Sequence, residues 1–139
     1  MTTDLFSHLN WLAVLVAAVA YFMLGAIWYS KALFATQWAR AVGLKMDDPN
    51  KKGLGKMMLT SFILIFLTCL GLALLVARLD LAVWMSGLKL GATTGLLFAC
   101  TAVAISFIYE SRPTSLYFID GGYHLVGHIA AAIILSCWR

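Results

Sequence analysis

The sequence predicts an all-α integral membrane protein, with four transmembrane helices and a short amphipathic interfacial helix in the first loop. Three observations carry this. Hydrophobic residues make up 63% of the 139 residues and charged ones 12%, against about 45–50% and about 25% in soluble domains. Four stretches reach the roughly 20 apolar residues that a helix needs to cross about 30 Å of hydrocarbon. None alternates with period 2, which argues against a membrane β-barrel. A soluble enzyme, a disordered chain and a disulfide-stapled module are excluded together, because too few polar side chains remain to cover a wet surface. The expected organisation is one four-helix transmembrane domain over residues 1–139.

The first span runs from about Leu9 to Tyr29 and holds no charged residue. It is too long for the apolar core of a signal peptide, about 7–15 residues, and no Lys or Arg precedes Lys31, so it is expected to be permanent. Asn10, Ala17, Tyr21, Gly25 and Trp28 fall on a narrow arc of it, with Tyr21 expected to bond to a neighbouring helix. The loop from Ser30 to Lys56 contains Leu33, Phe34, Gln37, Trp38, Ala41 and Val42 at helical spacing. A short interfacial helix is therefore expected over about Ala32 to Val42, stopped by Gly43. Asp47-Asp48-Pro49 reads as a helix start, so the second helix should begin near Pro49 and cross the membrane over about Met57 to Ala77.

The third span covers about Leu90 to Tyr109, with Trp84 as its earliest start. Gly87, Gly91 and Gly95, continued by Ala99, form a ridge of small residues at intervals of four. Such ridges let helix backbones approach inside lipid, either within one chain or between two copies. A homo-oligomer packed partly through this ridge is expected. The fourth span runs from about Leu116 to Trp138 and is interrupted by Asp120, His124 and His128. Trp11, Trp28, Tyr29, Trp84, Tyr109, Tyr117 and Trp138 lie near the span ends, where amphipathic rings favour the interface; Tyr21 and Tyr123 lie deeper.

Basic residues assign orientation. The first loop carries Lys31, Arg40, Lys45, Lys51, Lys52 and Lys56, and the third carries Arg112; the other side has Arg78, Lys89 and Arg139. By the positive-inside rule the first and third loops face the cytoplasm and both termini face outward, in an inner or plasma membrane. The net charge of +4 is thus a topology signal, and nucleic acid is not an expected partner. Cys69, Cys100 and Cys137 form no CxxC spacing and read as packing residues.

An ionisable group in a span costs about 2.5–3.5 kcal/mol on insertion scales, which makes it a functional candidate by default. At about 100° per residue, Tyr117, Asp120, His124 and His128 fall within about 80° on the last span. Glu110 and the turn Ser111-Arg112-Pro113 precede this ridge and could bring the Glu110 carboxylate to Tyr117 or Asp120. The candidate site is therefore Asp120, His124, His128, Tyr117, Glu110 and Tyr21. Four uses compete. Asp120 and His124 could ligate a divalent metal, whereas His128, about 12 Å along the axis from Asp120, could not share that ion. The ridge could relay protons or bind a small substrate. A histidine could hold haem. Or the groups pair among themselves and fix helix register. No cofactor is predicted, and no Ser–His–Asp order or nucleophile elbow points to an enzyme.

The segments Asn10-Trp11-Leu12-Ala13-Val14, Gly25-Ala26-Ile27-Trp28-Tyr29-Ser30, Leu33-Phe34 and Trp38, together with Ile119-Asp120-Gly121-Gly122-Tyr123-His124-Leu125-Val126 and Ile133-Ile134-Leu135, resemble the domain-of-unknown-function 1761 family. Lys31 stands where that family usually has Pro, and His128 lies outside its pattern. The resemblance implies a small, mostly bacterial membrane protein of about four spans, with no established activity. The functional expectation is an oligomeric structural or accessory membrane component. The alternative is a small proton-linked transporter or channel using Asp120, His124 and His128.

Overall fold

A computed structural model describes residues 3–44 and 53–139. A short helix α1 (Thr3–Ser7) precedes α2 (Trp11–Trp28), the first span. The Asn10 side chain caps α2 by accepting from the Ala13 amide at 3.1 Å. Helix α3 (Ala35–Val42) ends at left-handed Gly43, φ 75°. Helix α4 (Leu54–Arg78) is the second span. The third span, Trp84–Tyr109, is one continuous rod of α5 (Trp84–Thr94), a π-helical turn (Gly95–Cys100) and α6 (Thr101–Tyr109). The fourth span is α7 (Thr114–Cys137). All four are long and apolar enough to cross a bilayer.

Two helices, α4 and α3, start at residues other than those expected from the sequence. Helix α4 starts at Leu54, directly after left-handed Gly53 (φ 89°), and the start expected near Pro49 lies outside the described residues. The acidic start signal Asp47-Asp48-Pro49 and the basic residues Lys45, Lys51 and Lys52 lie outside the described residues. The third span starts at Trp84, the earliest start expected, and α3 begins three residues later than expected. The face that α3 buries also differs: Ala35 and Ala39 are buried with Trp38 partly so, while Leu33 and Gln37 are exposed.

Helix α7 is the centre of the bundle, with α5, α2, α4 and α3 all packed on it. Its most apolar window is 44% buried, against 28%, 22% and 17% for the first, second and third spans. It is also the least hydropathic of the four, with a mean of 1.4. The two facts share a cause: a helix carrying ionisable groups cannot turn them to lipid, so the more uniformly apolar helices surround it. A core of Val14, Ala17, Ala18, Tyr21, Cys69, Leu72 and Ala131 joins α2, α4 and α7.

The glycine ridge faces α7. A Cβ on Gly87 would lie 2.6 Å from the Ala132 carbonyl oxygen, one on Gly91 2.5 Å from Ile129 Cα, and one on Gly95 3.0 Å from Leu125 Cα. These are backbone atoms, so only glycine permits this approach. The expectation that the ridge packs against a second copy is overturned for this face, since the chain's own last helix fills it. Any oligomer has to form through another surface.

Ala99 does not continue the ridge. The π-turn inserts an extra residue into the helical repeat, so the residue that meets α7 after Gly95 is Cys100, whose Sγ donates to the Gly121 carbonyl at 3.1 Å. The hydroxyls of Thr94 and Thr101 flank this turn and donate to Leu90 O at 2.8 Å and Leu97 O at 2.7 Å. They satisfy carbonyls where the regular ladder is disturbed.

Candidate functional site

Helices α2 and α7 run antiparallel, and each carries polar residues eight positions apart: Tyr21 and Tyr29 on α2, Asp120 and His128 on α7. Equal rise per residue brings the two pairs opposite each other. At the α3 end, the Tyr29 hydroxyl donates to Asp120 Oδ1 at 2.6 Å, and Trp28 Nε1 donates to the Ile119 carbonyl at 2.9 Å. Nearer the centre, the Tyr21 hydroxyl lies 2.8 Å from His124 Nδ1 and 3.2 Å from His128 Nδ1. His128 Nδ1 is also 2.8 Å from the His124 carbonyl.

These bonds assign the tautomer of His128. A carbonyl only accepts, so His128 carries its proton on Nδ1. The Tyr21 hydroxyl then either donates to His124 Nδ1, or accepts from it while donating to the His124 carbonyl at 3.4 Å. His128, Tyr21 and the Nδ1 side of His124 are mutually satisfied and lock α2 against α7. This part of the ridge does what a register-fixing network does.

The outer part is different. Only Oδ1 of Asp120 is bonded, and Asp120 pairs with no basic side chain among the described residues. Asp120 and His124 both line a cleft of about 880 Å³ between α4 and α6, capped by α3. Its walls are mainly apolar, with Met57 and Met58 from α4, Phe107 from α6 and Trp38 from α3. A second cavity of about 530 Å³ on the other side of α4 shares Tyr29, Met58, Ser61 and His124 with it. The Tyr29 ring is held by edge-to-face contacts with Trp38 at 5.8 Å and Tyr123 at 5.3 Å.

Two expected members lie apart. Glu110 is exposed and accepts from Arg112 Nε at 2.8 Å, so the tight turn closes on itself and does not carry the carboxylate to Tyr117 or Asp120. Tyr117 turns its ring edge-to-face onto Phe107 at 5.5 Å, packing α7 on α6. For a metal, Oδ1 of Asp120 and Nδ1 of His124 are already bonded, leaving Oδ2 and Nε2. Among the described residues no group of three His, Cys, Asp or Glu converges.

Sequence reasoning missed Tyr29, Trp28 and Trp38. The first two read as interface aromatics, but both are half-buried and bonded to α7. Trp11, Trp84, Trp138 and Tyr109 are exposed at span ends as expected. The available signal was the matched eight-residue spacing on two antiparallel spans.

The fold and site define a four-span membrane protein with an ionisable intramembrane cleft. The chain matches the family described as "Protein of unknown function (DUF1761)" over residues 12–136, and it belongs to that family. The match includes every residue of the cleft and of the Tyr21 network. No curated protein and no solved structure matches the chain.

Proposed function

We propose that the protein is a small proton-linked carrier that takes a small molecule into the cleft from the cytoplasmic side. One observation carries this: the Asp120 carboxylate and the His124 imidazole stand together in the wall of a roomy cleft inside a span. Ionisable groups at such depth are costly, and those that serve packing alone are normally fully paired. Here the paired part, Tyr21 with His128, lies deeper, and the incompletely paired part faces the cleft.

The positive-inside rule supports a cytoplasmic α3 end, and with that orientation the cleft is inward-facing. A separate cavity of about 260 Å³, near Asn10 and Trp138, lies at the outer end. Between the two, the packed layer of Tyr21, Ala17, Cys69 and Leu72 closes the path. Alternation would require the Tyr21–His124–His128 bonds to break and re-form.

The test is cysteine accessibility. Ser106→Cys, in a chain whose native cysteines are replaced by alanine, should react with an impermeant maleimide from the cytoplasmic side of membrane vesicles. His8→Cys should react only from the other side. Labelling of Ser106→Cys from the outer side alone, or from neither side while the protein remains folded, would overturn the inward-facing reading.

A further inference from the structure

We infer that the cleft selects lipophilic organic cations: molecules with one positive charge spread over, or embedded in, an aromatic or alkyl body. The inference rests on the carrier reading for the route but names a ligand class from the lining itself.

Formal charge comes first. Asp120 supplies the only carboxylate in the described lining, and no Lys or Arg contributes to it. Among the described residues nothing in the lining would compensate an anion, which would sit beside a carboxyl whose only charged form is negative. A bare inorganic cation would need several oxygen ligands, whereas the walls here are largely aliphatic, aromatic and thioether. A neutral amphiphile would fill the walls and leave the free Oδ2 of Asp120 unpaired.

The surfaces next to the carboxylate also suit a diffuse positive charge. Tyr29, Trp38 and Phe107 line the cleft, and the face of an aromatic ring attracts a cation within about 6 Å of its centroid. Met57 and Met58 add flexible, polarisable contacts that adapt to differently shaped apolar bodies. The volume of about 880 Å³ fits within the range of roughly 300–1,000 Å³ typical of drug-sized sites. Tyr29 is a positioning residue in this scheme. Its 2.6 Å bond to Oδ1 holds the carboxyl in the cleft wall and leaves Oδ2 without a partner among the described residues.

Proton linkage follows from balance. In this proposal Asp120 holds a proton while the cleft is empty. A bound cation replaces that proton, which leaves the carboxyl for water in the open cleft, so site charge is conserved. The titratable groups facing Asp120 are Tyr29 from α2, His124 one turn along α7, and Arg112 at the start of α7, which Glu110 already holds. The described lining from α3, α4 and α6 adds none.

Binding to the full-length protein in lipid nanodiscs tests this, with ethidium as a fluorescent monocation, tetraphenylphosphonium as competitor, and anilinonaphthalene sulfonate as an anion of similar size. Saturable ethidium binding is expected, displaced by tetraphenylphosphonium and not by the anion. Asp120→Asn should weaken it at least tenfold, Asp120→Glu should retain most of it, and Trp38→Ala should weaken it severalfold. Retention by Asp120→Glu separates charge recognition from misfolding of the Asn variant. Equal binding of the anion, or no effect of Asp120→Asn, would overturn the inference. Proton release into weakly buffered medium on binding separates the two proposals. Binding without release would overturn proton linkage and leave the ligand class standing. Absence of ethidium binding, with Ser106→Cys still labelled from the cytoplasm, would overturn the ligand class and leave the inward-facing cleft standing.

Discussion

Replacing Gly91 by alanine adds one methyl group where the third and fourth spans touch most closely. That methyl would lie 2.5 Å from Ile129 Cα and 2.6 Å from the His128 carbonyl oxygen, whereas carbon–carbon contacts relax at about 3.5–4.0 Å. Neither obstacle is a side chain that can swing aside, so α5 and α7 must separate by about 1 Å. A gap of 0.5–1 Å forfeits roughly a quarter to a half of each dispersion contact it opens. Across an interface of several turns the expected cost is about 2–4 kcal/mol, at or above the usual overpacking range. At Gly71, in the interior of α4, a Cβ would meet nothing within 4 Å. Gly71→Ala should therefore gain up to about 1 kcal/mol of helix propensity. Thermal unfolding of the detergent-solubilised variants, followed by circular dichroism, measures both. Copy number should not change for Gly91→Ala, because the ridge is filled within the chain. Equal melting of wild type and Gly91→Ala would refute the close α5–α7 packing, and so would an oligomer that dissociates.

Three further outcomes follow from the same geometry. Tyr21→Phe removes the hydroxyl that serves both histidines and should destabilise the fold by about 1–3 kcal/mol, the penalty for stranding buried polar groups. Tyr29→Phe breaks one partly buried bond in a span and should cost about 0.6 kcal/mol, so a larger loss for Tyr29 than for Tyr21 would contradict the assignment of the deeper network as structural. In folded, detergent-solubilised protein, maleimide should modify exposed Cys137 first, half-buried Cys100 more slowly and buried Cys69 last, read by mass shift over time. Early modification of Cys69 would place α4 differently.

The four spans, the polar ridge on the last of them and the glycine ridge on the third were all legible in the residues. Each depends on properties local to one helix: an apolar run long enough to cross, a 3.6-residue period, small side chains at intervals of four. The π-turn was not legible, because nothing in Gly95-Leu96-Leu97-Phe98-Ala99-Cys100 marks an inserted residue, and the straight-helix ridge therefore ran to Ala99 when the contact belongs to Cys100. Asp120 and His124 could be nominated from sequence. Their separation from Glu110 and Tyr117 could not, since one turn of chain at Ser111, φ 52°, decides where Glu110 points.

By itself, the sequence determined that this chain enters a membrane as four helices and that the fourth cannot face lipid. Tertiary structure alone decided which helix covers which. Lipid tails are as apolar as the spans, so hydropathy is indifferent to partners, and the choice falls to shape and to hydrogen bonds. Glycines drew α5 onto α7, while Tyr21, Trp28 and Tyr29 drew α2 onto its other side. The space left between α4 and α6, with Asp120 and His124 in its wall, is the result of those pairings and is written in no single segment.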